Sequence, residues 1–145
     1  MKDTVLVDIN VLLDVLARRE PHFAASVRIW DAVETRVIQG VVSANSITTL
    51  YYLLCKVANH DVALRGIRLM SEIFAILPVD RALIEQAMNS DIADFEDAVQ
   101  YESALGAKVT AIITRDVRHF KNAAISVLSP EVFLARLQRV HPEAI

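Results

Sequence analysis

The sequence predicts an α/β fold: three layers, α/β/α, with a parallel sheet of about four to five strands. Three observations carry this. Short strand-like runs alternate with helical apolar stripes along the whole chain. The first run, Val5-Leu6-Val7, has no polar face, as expected of a strand buried on both sides. Asp8 stands at the end of the first run and Asp116 just past the end of the fourth. In α/β folds that position is the rim where ligands bind.

The elements follow in order. After Val5-Leu6-Val7, the residues Val11, Leu12, Val15 and Leu16 recur at helical spacing, and Arg18-Arg19-Glu20-Pro21 breaks the pattern. A second helix is expected over Phe23 to Val37, with Gly40 ending that unit, and Val41-Val42-Ser43 reads as a second strand. Ile47, Leu50, Tyr51 and Leu54 make a third helical stripe. Asn59 or Asp61 can cap a fourth helix, with Leu64, Ile67, Ser71 and Phe74 on one side. Ile76-Leu77-Pro78-Val79 is a short strand whose proline suits an edge or a strand end. Asp80 can cap a helix over Arg81 to Met88, and Asp94 can open one over Phe95 to Leu105, closed by Gly106. Val109 to Thr114 is the strongest strand after the first, and Ile125 to Leu128 is the last. Ser129-Pro130-Glu131 supplies a cap, a proline at the first helical position and an early acid. The closing helix is expected to reach about Gln138, and His141 to Ile145 to fray.

Composition narrows the class. A hydrophobic content of 54% in 145 residues excludes a mostly disordered chain and suffices for one core. The net charge of −3 announces no nucleic-acid binder in bulk, although a site built from carboxylates would itself contribute to that balance. The one cysteine, Cys55, excludes an internal disulfide and argues against a thiolate zinc site. Asp3 and Asp8 interrupt the N-terminal apolar run, so no signal peptide is read there. The longest uncharged run, Val37 to Cys55, is too polar for a membrane span. A cytoplasmic protein with no membrane association is expected. With three glycines and four prolines, no linker or repeat divides the chain.

Four acids are candidates for chemistry: Asp8, Asp94, Asp97 and Asp116. Asp94 and Asp97, three apart, share one face of a helix. Clustered carboxylates repel: two unit charges about 4 Å apart cost roughly 4 kcal/mol at an effective dielectric of about 20. A cation or protons must offset that cost, and oxygen-only donors favour a hard ion, Mg²⁺ or Mn²⁺. Each acid also has a structural reading. Asp94 suits an N-cap and Asp97 the third helical position, while Asp8 and Asp116 suit turns.

The joint order of these pieces resembles the PIN-domain family, the fold of VapC-type toxin ribonucleases. The matching segments are Val5 to Leu13, Asp94-Phe95-Glu96-Asp97 through Tyr101, and Ile113-Thr114-Arg115-Asp116 with His119-Phe120. The resemblance covers about residues 4 to 137 and implies a single PIN-like domain over 1–145. It implies an endonuclease cleaving single-stranded RNA with Mg²⁺ or Mn²⁺, of the kind that serves as the toxin of a toxin–antitoxin pair. Asp8, Asp97 and Asp116 would then be catalytic metal ligands, with Thr114 and Asn10 in support. The family commonly has a glutamate on the helix after the second strand, and the alignment puts Thr49 there. No acid occupies Val41 to His60, so the site is one carboxylate short, and Asp94 is the candidate to compensate. His119 stands where many relatives have an aspartate and reads as a structural or surface residue.

Arg115, Arg118 and Lys121 flank Asp116 and are candidate phosphate contacts, as are Arg18 and Arg19; ordinary solvated charge is the competing reading. Phe23, Trp30 and the stripe around Leu50 read as core or as a face shared with a second copy, so a homodimer is expected, with a cognate antitoxin protein as a further partner. The rival to the nuclease is a catalytically weak or inactive PIN-like module that binds RNA or protein, which Thr49 supports. A phosphotransfer enzyme with Asp8 as nucleophile ranks third, because Asn10 stands where such families want a second aspartate.

Overall fold

The structure is a computed structural model and describes residues 2–144. Five strands form one parallel sheet: β1 (Thr4–Val7), β2 (Gln39–Ser43), β3 (Ala75–Leu77), β4 (Ala111–Ile113) and β5 (Ser126–Leu128). Their spatial order is β3-β2-β1-β4-β5. The chain winds outward from β1 through β2 to β3, then crosses back to lay β4 on the other side of β1. The direction of winding therefore reverses between β1 and β4, where Leu6 is in register with Val41 on one side and Ile112 on the other.

Seven α-helices cover the sheet: α1 (Ile9–Leu16), α2 (Phe23–Glu34), α3 (Ala44–Val57), α4 (His60–Ile73), α5 (Arg81–Met88), α6 (Phe95–Ala107) and α7 (Pro130–Val140). Alternation along the strands divides the core in two. Val5, Val7, Val42, Ala111 and Ile113 face one apolar cluster, with Leu12, Ile29, Trp30, Leu50, Leu54, Met70 and Leu134 from α1, α2, α3, α4 and α7. Leu6, Val41 and Ile112 face the other, with Ala87, Ala98, Val99 and Ala104 from α5 and α6. The burial of Val5, Leu6 and Val7 is explained by this sandwiching: past Thr4, β1 has no solvent face on which a polar residue could sit. The expected three-layer α/β/α architecture is the observed one.

Several boundaries depart from the sequence reading. Helix α2 stops at Glu34 rather than Val37, because Arg36 takes a left-handed φ of 65°. Gly40 lies inside β2 instead of ending the preceding unit. A Cβ there would come within 2.6 Å of the Phe74 ring and 2.9 Å of Val33, so the glycine is required by packing. On α4 the buried positions are Ala63 and Met70, whereas Ser71 is exposed. Helix α6 runs past Gly106, and Lys108 supplies the left-handed cap at φ 55°. Strand β4 is shorter than Val109 to Thr114, and α7 continues to Val140. Residues Pro142–Ala144 form a 3₁₀ turn where fraying was expected, while Ile145 lies outside the described residues. The caps proposed at Asp80, Asp94 and Ser129 each accept a backbone N–H, and Asn59 rather than Asp61 caps α4. Among the described residues, no helix is long and apolar enough to cross a membrane.

Candidate metal centre

The reversal between β1 and β4 places Asp8 beside the Thr114-Arg115-Asp116 segment. The Asp8 N–H continues the sheet ladder to the Ile113 carbonyl at 2.9 Å, which fixes the backbone of the acid against β4. Asp8 stands at the N-cap position of α1, yet its side chain caps nothing. It accepts a hydrogen bond from the Thr114 hydroxyl instead, at 2.8 Å. The Asp8 carboxylate is thus directed across the sheet to Thr114, while the Asn10 backbone two residues on keeps the turn contact as well.

Thr114 is fully buried and makes a second contact, in which its Oγ1 accepts the Asp116 N–H at 3.0 Å. Asn10, in the first turn of α1, points its Nδ2 at three oxygens: Asp116 Oδ2 at 3.1 Å, Thr114 Oγ1 at 3.3 Å and Asp8 Oδ2 at 3.4 Å. One hydroxyl and one amide therefore hold two carboxylates from distant parts of the chain at one rim.

The third acid, Asp97, enters from the first turn of α6. Asp94 caps that helix, its Oδ1 accepting the Asp97 N–H at 2.9 Å, so the cap reading is the one the geometry carries for Asp94. Gln100, only 1% exposed, lies one turn further on and donates to Asp97 Oδ1 at 3.4 Å. It also faces Asp8, whose ionised form it favours, while its own Oε1 is buried without a partner. His119 places Nδ1 at 3.3 Å from Asp97 Oδ2, making an ion pair when protonated. Its surface reading thus acquires a specific contact.

The electrostatics bear the mark of crowded like charge. Burial, at 5% exposure, pushes the Asp8 carboxyl above its ordinary 3.8, and the Asp116 charge pushes the same way. The Thr114 hydroxyl and the Asn10 backbone hold it down in part. Asp97 is raised to about 6, first by burial, then by the charges of Asp8 and Asp94, with His119 opposing. Apart from the His119 imidazole, the donors at this rim are carboxylate, hydroxyl or amide oxygens, a set suited to a hard divalent cation, and one buried amide oxygen lacks a partner. Among the described residues, no three Asp, Glu, His or Cys side chains already close on a single point, so the carboxylates ring an open rim.

The remaining predicted residues are dispersed. Thr49, on α3, donates to Glu96 Oε1 at 2.7 Å. Arg115 is drawn away from the rim: its Nε binds Asp14 Oδ2 at 2.8 Å, beside the Ser26 hydroxyl at 3.0 Å. Asp14 is fully buried and takes Arg19 as well, at 3.6 Å from its Oδ1. Arg18 lies over the Phe23 ring, 5.9 Å from its centroid. Arg18 and Arg19 thus both have local partners within the chain. Arg118 and Lys121 stay exposed and, with Ile92, Asp94 and His119, line a cleft of about 300 Å³ next to Asp97. Sequence reasoning passed over Glu96, Gln100 and Asp14. A polar residue between the apolar Val99 and the core-facing Ala104 was a usable signal for Gln100, and an acid inside the Val11 to Leu16 run was one for Asp14. Glu96 carried none.

Comparison with known proteins adds an independent line. A family model described as a PIN domain matches residues 4–118. Ribonuclease VapC1 of Aquifex aeolicus (strain VF5) is 30% identical over 139 residues, which cover 92% of this chain and 95% of that protein. A toxin–antitoxin complex from Klebsiella pneumoniae has a chain similar in fold, with a TM-score of 0.67 and 19% identity over 87% of this chain and 97% of that one. VapC20 of Mycobacterium tuberculosis, a Sarcin-Ricin loop cleaving toxin, gives a TM-score of 0.64 and 16% identity over 74% and 86% of the two chains.

Proposed function

The chain belongs to the PIN-domain family, and from that premise we propose that it is a metal-dependent endoribonuclease acting on single-stranded RNA. One observation carries the reading: carboxylates from β1, α6 and the segment after β4 converge on the rim at the reversal of winding, two of them with pKa values raised by burial and mutual charge. Asp8, Asp97 and Asp116 would hold Mg²⁺ or Mn²⁺. Bound there, the ion supplies an activated water and neutralises charge on the scissile phosphate. Thr114, Asn10 and Gln100 fix the carboxylates in place. Arg118 and Lys121 are offered to the RNA backbone along the adjoining cleft, an arrangement that supplies local positive charge to a chain of net charge −3.

Residues of about 4 to 137 act in this reading as one unit. The relatives also suggest the setting: the Klebsiella pneumoniae neighbour comes from a toxin–antitoxin complex, so a cognate antitoxin protein is the proposed regulator. A second copy is the proposed partner for exposed apolar residues of α3 and α4, among them Tyr52, Val57 and Leu69.

The test is cleavage of single-stranded RNA in Mn²⁺ or Mg²⁺, with D8N and D97N expected to abolish it. Cleavage that survives both substitutions, or persists in chelator, sinks the proposal. The neutral Thr49 favours a second reading, a PIN-like module that binds RNA without cutting it. RNA binding with no Mn²⁺ uptake at millimolar metal would select that reading.

A further inference from the structure

The proposed ion site lacks an acid at Thr49, and the group that meets Thr49 there is itself a carboxylate. Glu96 sits on the first turn of α6, and its Oε1 accepts the Thr49 hydroxyl at 2.7 Å. Thr49 is on α3, so the contact bridges the two helices that flank the rim. The sequence reading turned to Asp94 for compensation. Asp94, however, is exposed and its Oδ1 is engaged as the α6 cap. Glu96 is half-buried, and no cationic side chain pairs with it among the described residues. A carboxylate withdrawn from water with only a hydroxyl for company is short of positive charge.

A second observation points the same way. Gln100 follows Glu96 by four residues, one turn along the same helical face. It is 1% exposed, lies between Asp8 and Asp97, and keeps its Oε1 unpartnered. Polar oxygens buried this deeply are normally satisfied, so the region beside Glu96 has an oxygen donor available to an ion or its water.

We infer that Glu96 supplies from α6 the carboxylate missing at Thr49, completing a divalent-cation site with Asp8, Asp97 and Asp116. The inference rests on the nuclease reading for the site itself and assigns it a residue that the family pattern does not. The negative charge is kept while the helix that carries it changes. Thr49 then acts as a positioning residue that holds Glu96 toward the rim.

Calorimetric titration of the full chain with MnCl₂ tests this without reference to RNA. E96Q keeps an oxygen that can accept from Thr49 but removes the charge; it should bind Mn²⁺ about tenfold more weakly than wild type, with a melting midpoint in chelator no lower than that of wild type. T49A, which cuts the tie and leaves the carboxylate, should retain most of the affinity. The double variant T49E/E96Q, which moves the acid to α3, should recover the affinity lost in E96Q. If E96Q binds Mn²⁺ like wild type while D8N does not, Glu96 is no ligand and the inference falls, with the nuclease site intact. If T49A loses as much as E96Q, the pair is a structural clasp and the inference falls as well. If wild type takes up no Mn²⁺, or D8N binds as wild type does, the metal reading fails and takes this one with it.

Discussion

Replacing Asp97 by asparagine should make the metal-free protein more stable while destroying its proposed activity. Asp97 is raised from the ordinary 3.8 to about 6, chiefly by burial and by the charges of Asp8 and Asp94. The folded chain therefore holds this proton more tightly than the unfolded chain. Its stabilising contribution is complete below about pH 4 and is lost as the pH rises through about 6. A span of about 2 pH units at about 1.36 kcal/mol each gives roughly 3 kcal/mol as the ceiling of that loss. The side chain is 13% exposed at an open rim, so screening reduces it to about 1–2 kcal/mol. Asparagine fills the same volume and cannot ionise. In chelator at pH 7.5, D97N should thus melt about 3–7 °C above wild type, and the gap should close toward pH 4. Added Mn²⁺ should reverse the order, because an ion that binds only the folded wild type stabilises it by mass action. Thermal melts followed by circular dichroism across this pH range make the measurement. A D97N protein no more stable than wild type at pH 7.5 in chelator would refute the argument that like charge strains the empty rim.

The other expectations are simpler. D14A strips the partner from Arg115 and leaves a cavity beside Ser26; urea denaturation should register a loss of about 3–5 kcal/mol, and a change under about 1 kcal/mol would mean that the buried pair contributes little. K108G relieves a left-handed residue at the α6 terminus and should add about 0.5–1 kcal/mol in the same assay; a loss would show that the lysine side chain makes a compensating contact. R118A/K121A should flatten the salt dependence of RNA binding by about 1.4 in the log–log slope, as measured by fluorescence anisotropy, and an unchanged slope would remove the cleft from the RNA path.

What the sequence made legible follows the range of the interactions involved. Helix caps at Asp80, Asp94 and Ser129 depend on three or four consecutive residues, and they are where they were expected. The buried β1 was legible because a strand covered on both faces has no polar position to disguise it. Asp8 and Asp116 could be placed at one rim because parallel topology carries strand ends to a common edge. The bond from Thr49 to Glu96 joins residues 47 apart on two helices, and no local pattern encodes which way either side chain turns. The partner of Arg115 was hidden for the same reason: next to Asp116 in sequence, it is held by Asp14, 101 residues away. Gly106 looked like a helix terminus by residue type, yet it lies inside α6 and the cap fell to Lys108. Composition favours a cap and backbone geometry decides it.

The crossing from β3 back to β4 has a consequence for how the protein comes into being. Asp8 leaves the ribosome before its partners Asp97, Thr114 and Asp116, and Thr114 follows it by 106 residues. Until β4 docks against β1, the central strand has one neighbour instead of two and the carboxylates have no common edge on which to gather. A growing or truncated chain that ends before Thr114 carries the first acid without the rest. The rim is therefore a property of the whole β1–β4 pairing, and no shorter N-terminal piece of the chain carries it.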